Sequence, residues 1–116
     1  MGRAAFIFRM KPEMKDEYKK AHDEIWPELA KAIRDVGIKN YSIFFRKDGM
    51  LFAYLEVDDV KKAFEELGKT EVNARWQKYM DKFFVKEDKN ILGPEIEWLE
   101  EVFHLDWNLK TLIISS

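Results

Sequence analysis

The sequence predicts an α+β fold in which an antiparallel sheet carries helices on one face. Two observations predict it: the order of strand-like and helix-like periodicities, and a hairpin signal near the middle of the chain. Apolar residues that alternate indicate strands, and apolar residues three or four apart indicate helices. Their order is strand, helix, strand, strand, helix, strand, which is the ferredoxin-like order.

The first predicted strand covers residues 4–10, and four residues share one of its sides: Ala4, Phe6, Phe8 and Met10. A helical region begins at Pro12 and is expected to stop at Gly37, because glycine readily adopts the left-handed conformation that ends helices. Pro27 lacks an N–H and clashes with the preceding turn, which predicts a break within this region.

The second half of the chain supplies the hairpin and the last elements. Lys47-Asp48-Gly49 is a hairpin signal between two apolar stretches. Asp58 or Asp59 can cap a short helix that ends at Gly68, and Thr70 can cap the next one. The remaining predicted segments are a strand at 40–46, a strand at 50–57, a polar loop at 86–94 and a last strand at 99–105.

Several strands carry bulky apolar residues on both sides, in the neighbouring pairs Phe6/Ile7, Ile43/Phe44 and Leu51/Phe52. Two helical segments can cover only one face of the sheet. The other face is too apolar for solvent, which predicts a face-to-face homodimer. The alternative is that these residues are ordinary half-exposed aromatics.

Composition excludes several classes of function. The net charge is −2 with both signs interspersed, so no basic surface is offered to nucleic acid. No apolar run approaches the roughly 20 residues of a membrane span, and the first ten residues do not resemble a signal peptide. Cysteine is absent, and His22 and His104 have no metal-ligand spacing, so no metal site is predicted. A soluble cytoplasmic protein is expected.

Residues 15–29 carry the candidate chemistry. Tyr18 and His22 are four residues apart and share a helix face, which Ile25 and Leu29 continue. A lone histidine on such a face is usually a core residue, but in a pocket it can transfer protons near neutral pH. Other aromatic residues are expected to face it: Trp26, Tyr41 and Trp76. Such a surface suits a pyranose, whose ring stacks on tryptophan and whose oxygens meet tyrosine hydroxyls.

Three sequence blocks together resemble the L-rhamnose mutarotase family. They are H-x-x-I-W-P-E-L from His22, R-W-x-K-Y-M from Arg75, and E-V-F-H-L from Glu101, and the resemblance runs from residue 3 to 105. It implies a small cytoplasmic homodimer with a ferredoxin-like fold of the dimeric α/β-barrel type. It also implies interconversion of the α and β anomers of L-rhamnose without a cofactor.

The resemblance also implies the site residues. His22 matches the family's proton donor, and Tyr18, Tyr41 and Trp76 match sugar-contacting residues. The family typically has a second tryptophan where this chain has Gln77, so Gln77 is a candidate sugar contact that puts the preferred sugar in doubt. L-Fucose or another 6-deoxyhexose is then the alternative substrate. We expect His22 to serve the ring oxygen while the hemiacetal opens and closes.

The resemblance divides the chain into a mutarotase-like domain at 1–105 and a C-terminal extension at 106–116, which is apolar enough to add an edge strand or clasp a partner.

Two rival functions remain, because one fold serves many activities. The first is a monooxygenase-like enzyme that holds an oxidisable ring or haem in the same aromatic cavity. The second is a non-catalytic dimer that binds a small molecule.

Overall fold

The computed structural model describes residues 2–105 of the chain. The predicted order of strands and helices is realised, and the ferredoxin-like fold class is confirmed. The elements in chain order are β1 (Arg3–Met10), α1 (Lys15–Asp23), α2 (Pro27–Asp35), β2 (Lys39–Phe45), β3 (Met50–Glu56), α3 (Val60–Gly68), α4 (Glu71–Met80), β4 (Phe84–Val85) and β5 (Glu97–Leu99). Short 3₁₀ turns, Pro12–Met14 and Asp81–Phe83, precede α1 and β4.

The pairing of β1 with β3 sets the two faces of the sheet. β1 lies between β3 and the two short strands β4 and β5, while β2 pairs with the other edge of β3, and every pairing is antiparallel. Phe6 lies opposite Ala53 and Phe8 opposite Leu51, and all four side chains are buried. Because side chains alternate along a strand, their neighbours point to the other face.

The helices pack on the face that carries Phe6 and Phe8. Each of α2, α3 and α4 contributes a buried apolar side chain to this core: Leu29, Leu67 and Met80. Asp59 is the residue that caps α3, since its carboxylate accepts the Lys62 backbone N–H at 3.1 Å. Thr70 caps α4 by accepting the Asn73 N–H at 3.3 Å. Both caps satisfy N–H groups that a helix start leaves unpaired.

The helical region after β1 breaks at the predicted proline. α1 ends at Asp23, Trp26 has extended backbone (φ −60°, ψ 128°), and α2 begins at Pro27. Proline is tolerated at the first helical position because its missing N–H would have no partner there. Gly37, with φ +92°, follows the end of α2 as predicted.

The last strand differs from the prediction. The sequence predicted a strand at 99–105, whereas β5 is Glu97–Leu99 and residues 100–105 are exposed without regular structure. In the described residues β5 pairs only with β1, from Ile7–Glu97 to Ala5–Leu99. Because β1 begins at Arg3, the chain beyond residue 101 runs past the start of that strand, so apolar alternation alone does not make it a strand. The predicted role of the extension 106–116 lies outside the described residues.

The sheet's other face, which we call the open face, carries Ile7, Phe44 and Phe52. Phe44 and Phe52 lie opposite each other on β2 and β3 with ring centroids 6.4 Å apart, and they are 61% and 40% exposed. The predicted alternation of buried and outward apolar residues is therefore present. Among residues 2–105, no helix is long and apolar enough to cross a bilayer.

Candidate active site

A cavity of about 870 Å³ lies between the buried face of the sheet and the helices. Apolar side chains from the sheet, including Phe6, Phe8 and Leu51, form much of its lining. A smaller polar set also lines it: Lys15, Tyr18, Lys19, His22, Asp23, Tyr41, Asn73 and Gln77. A concave, mostly apolar surface with a few polar groups is typical of small-molecule sites.

Helix α1 fixes the orientation of His22. The ring centroids of Tyr18 and His22 are 4.5 Å apart, as their spacing of one helical turn predicts. His22 Nδ1 lies 3.1 Å from the Tyr18 backbone carbonyl oxygen. A carbonyl can only accept, so Nδ1 carries the proton in this hydrogen bond. Nε2 is then the ring nitrogen that remains for a ligand.

Burial lowers the pKa of His22, because the charged imidazolium loses hydration. The hydrogen bond to the Tyr18 carbonyl and the nearby Asp23 carboxylate oppose this shift but do not reverse it. His22 is therefore mainly neutral at neutral pH, with a lone pair on Nε2. The resting group is a proton acceptor, and it becomes a proton donor only after it has taken up a proton.

Two buried phenols accompany the imidazole. Burial raises the pKa of Tyr41 to about 12. Burial also raises the pKa of Tyr18, and the neighbouring Tyr41 phenol adds to that shift. Tyr41 lines the cavity but is 38% exposed as a residue, so it is less enclosed than Tyr18, which is 7% exposed. Both hydroxyls stay protonated at neutral pH and can donate hydrogen bonds to a ligand.

Trp76 lies beside His22 in the cavity wall. Trp26 contacts the Trp76 ring from outside the cavity. The Trp76 ring is 5.6 Å from His22 and 5.1 Å from Trp26 between centroids, at nearly right angles to both. Trp76 is 7% exposed, so most of its surface is already packed. Trp26 is absent from the cavity lining and contacts Tyr79 instead. The expectation that Trp26 faces His22 was wrong.

Gln77 brings an amide to the cavity from the next position of α4. Its Nε2 donates to Asn73 Oδ1 at 3.2 Å, one helical turn earlier. Its Oε1 meets the backbone of Gly93, where a Cβ would lie only 2.3 Å from that oxygen. Gln77 therefore contacts both the cavity and the segment that connects β4 to β5.

Comparison with known proteins shows to which family this chain belongs. A sequence profile described as L-rhamnose mutarotase matches residues 3–105. The chain belongs to the L-rhamnose mutarotase family. The L-rhamnose mutarotase of Listeria monocytogenes is 42% identical over 106 residues, covering 90% of this chain and 99% of that protein. The one from Bacillus subtilis is 41% identical over 107 residues, covering 91% and 100%.

Solved structures agree with this assignment. An L-rhamnose mutarotase from Formosa agariphila superposes with a TM-score of 0.78 at 31% identity, covering 91% of this chain and all of that one. A dimeric ferredoxin-like protein from an uncultured marine organism superposes with a TM-score of 0.58 at 14% identity, covering 90% and 95%. The second likeness supports the fold alone.

In this family member, the five site residues predicted from the sequence all line one cavity: Tyr18, His22, Tyr41, Trp76 and Gln77. The sequence reasoning missed four polar lining residues: Lys15, Lys19, Asp23 and Asn73. Helical spacing could have found them, since 15, 19 and 23 run beside Tyr18 and His22, and Asn73 precedes Gln77 by one turn. Within residues 2–105, no three His, Asp or Glu side chains converge on a metal-sized site.

Proposed function

We propose that this protein interconverts the α and β anomers of L-rhamnose by assisted opening and closing of the sugar ring. The observation that carries the proposal is the presence of a neutral, oriented imidazole and two protonated phenols in one cavity. Membership of the L-rhamnose mutarotase family supports it. Mutarotation needs one proton removed from the anomeric hydroxyl and one delivered to the ring oxygen.

His22 is the proton-transfer group in this proposal. Its neutral Nε2 accepts the anomeric proton as the bond between the anomeric carbon and the ring oxygen breaks. The resulting imidazolium is the proton donor, and it returns the proton to the aldehyde oxygen when the ring closes on the other face. This order replaces the sequence-based expectation that His22 first serves the ring oxygen, because burial disfavours a resting imidazolium.

Tyr18 and Tyr41 assist at the ring oxygen. Negative charge develops there as the ring opens, and hydrogen bonds from protonated phenols stabilise such charge in an enclosed site. A water molecule gives the proton that completes the open-chain hydroxyl, and the hydroxide that it leaves takes the same proton back when the ring closes. The reaction needs no change of oxidation state, which is consistent with a cofactor-free enzyme.

Trp76 and Gln77 complete the sugar site in this proposal. The exposed part of the Trp76 ring meets an apolar C–H face of the sugar, and the Gln77 amide binds a hydroxyl. Because the amide stands where the family typically has an aromatic ring, L-fucose or another 6-deoxyhexose is an alternative substrate.

The test is anomer exchange measured by saturation-transfer NMR on L-rhamnose and L-fucose in parallel. Wild type should accelerate exchange of at least one sugar, and His22→Ala should lose about 10²–10⁴-fold, the usual contribution of a positioned acid or base. His104→Ala is the matched control, because His104 is exposed and lies outside the cavity lining. Native exchange by His22→Ala would overturn the assignment, and no exchange by wild type would overturn the function.

We also infer that the protein is a homodimer joined through the open face. The exposed pair Phe44 and Phe52 supports this, because a contiguous apolar surface usually marks an interface. Sedimentation equilibrium should give twice the chain mass of 13.9 kDa, and Phe52→Glu should give single chains. A wild-type mass of one chain would contradict the proposal.

The domain boundary and the location follow the family. We infer that residues 1–105 are the catalytic domain, since the family profile ends at 105, and that 106–116 are an extension. We infer a cytoplasmic location, as the family resemblance implies. Removal of 106–116 should preserve anomer exchange, and its loss would assign the extension to the site or the interface.

A further inference from the structure

Lys86 is a buried lysine at the start of the segment that connects β4 to β5. Its side chain is 6% exposed, and lysine is rarely buried unless it is paired. The ammonium donates to the Asp81 carboxylate and to the Ile91 backbone carbonyl. Asp81 follows the last turn of α4, and Ile91 lies in the middle of the connecting segment.

Asp81 is also hydrogen-bonded directly to the connecting segment, in addition to its contact with Lys86. Its Oδ1 accepts the Gly93 backbone N–H at 2.9 Å. The Lys86 ammonium and the Gly93 N–H hold the pKa of Asp81 below its usual value, so the carboxylate is ionised at neutral pH. We call the four groups the Lys86 staple: the Lys86 ammonium, the Asp81 carboxylate, the Ile91 carbonyl and the Gly93 N–H.

The Lys86 staple provides the side-chain hydrogen bonds that connect this segment to the residue following α4. In the described part of the chain, the segment's other hydrogen bonds are internal, such as those from the Glu87 N–H to Glu95 and from the Asn90 N–H to Asp88. Internal bonds shape the segment but do not fix its distance from α4. That distance depends on the staple.

The same segment forms one wall of the candidate sugar cavity. Leu92, Pro94 and Ile96 line it, whereas Lys86 and Asp81 do not. Gly93 lies between Leu92 and Pro94 in the sequence. It has φ +83° and approaches Gln77 so closely that no side chain would fit at position 93. The position of Gly93 therefore determines where three lining side chains and the Gln77 amide lie.

We propose that Lys86 is a positioning residue that holds residues 87–96 against α4 and so sets the affinity of the cavity for its sugar without contacting it. The inference rests on the proposed function for the identity of the ligand. It predicts a change in KM with little change in kcat, because His22 and the two phenols that assist it lie on α1 and β2, outside the segment.

The test compares Lys86→Met with wild type. Methionine fills a similar volume, and Asp81 remains in contact with water through a side chain that is 41% exposed, so no buried charge is left unpaired. KM for anomer exchange should rise about tenfold, while kcat stays within about twofold of wild type. A native KM, or a fall in kcat at native KM, overturns the proposal.

Two further variants sharpen the test. Asp81→Ala removes the carboxylate that both Lys86 and Gly93 use and also leaves the buried ammonium without its counter-ion, so it should raise KM at least as much as Lys86→Met. Adding Asp81→Ala to Lys86→Met should raise KM no further than Lys86→Met alone. Effects that multiply in the double variant would contradict a shared staple. Lys31→Met is the matched control, because it breaks an exposed Lys–Asp pair at 2.6 Å outside the cavity lining and should leave KM unchanged.

Hydrogen–deuterium exchange separates this inference from the proposed function. The Gly93 amide should exchange faster in Lys86→Met than in wild type without any sugar, and unchanged exchange overturns the staple. If wild type shows no anomer exchange, the proposed function fails while the Gly93 measurement still decides whether Lys86 anchors the segment. Faster Gly93 exchange with a native KM means that the anchored wall does not set affinity, which also overturns the proposal.

Discussion

The cavity has two kinds of wall, and different interactions hold them in place. The helical wall carries Tyr18 and His22 on α1 and Trp76 on α4, where helix geometry and core packing fix each side chain. The loop wall, residues 86–96, is fixed by the Lys86 staple and its contact with Gln77. The group proposed for proton transfer therefore stands on a regular helix, while the loop wall is held by a few tertiary contacts.

The largest difference between the walls should appear in stability. Trp76→Ala removes a buried ring that contacts His22 and Trp26 and should lower the free energy of unfolding by about 3–5 kcal/mol. Leu92→Ala on the loop wall should cost less than about 1 kcal/mol, because Leu92 is 54% exposed. Urea unfolding at one fixed protein concentration measures both. Similar losses would show that the loop wall belongs to the core.

A smaller effect should follow from removing one hydroxyl on the helical wall. Tyr18→Phe keeps the ring against Phe83 and keeps the backbone carbonyl that orients His22. One lost hydrogen bond of about 0.5–1.5 kcal/mol corresponds to a fall in kcat/KM of about two- to tenfold. Anomer exchange measures it, with Tyr79→Phe outside the cavity lining as the control. A loss above about 100-fold would make Tyr18 itself a proton-transfer group.

An effect of similar size on sugar preference is expected where the two walls meet. Gln77→Trp replaces the amide with an aromatic ring and should shift the rate ratio of L-rhamnose to L-fucose by about two- to tenfold, the contribution of one hydrogen bond. Gln77→Leu removes the amide without adding a ring, so it separates lost hydrogen bonding from added aromatic surface. An unchanged ratio in both variants would remove Gln77 as a specificity determinant.

The helical wall was largely predictable from the sequence, because its contacts follow local spacing. Tyr18 and His22 meet at four residues apart within one helix. The same counting failed for Trp26, since α1 ends at Asp23 and the extended residues before Pro27 no longer follow helical periodicity. The alternation of apolar residues likewise predicted both faces of the sheet, but it could not show that, among the described residues, the pairing of β5 with β1 ends at Leu99.

The loop wall could not be predicted in the same way. A lysine in a polar stretch is usually exposed, and Lys86 is buried only because the Asp81 carboxylate and the Ile91 carbonyl accept its ammonium protons in the folded chain. No local periodicity links these positions. The direction of the His22 pKa shift could not be predicted from the sequence either, because it depends on how far the folded chain buries the imidazole ring.

The pH profile of kcat/KM for anomer exchange, corrected for the uncatalysed rate, tests the proposed role of His22 without any substitution. The proposed mechanism requires a neutral His22 in the free enzyme, with its pKa lowered by burial below the ordinary value of 6.5. Activity should therefore be level from neutral pH upward and fall as acid protonates the imidazole. Activity that rises as the pH falls from 7 towards 5 would contradict it, because His22 would then begin the reaction as an imidazolium donor.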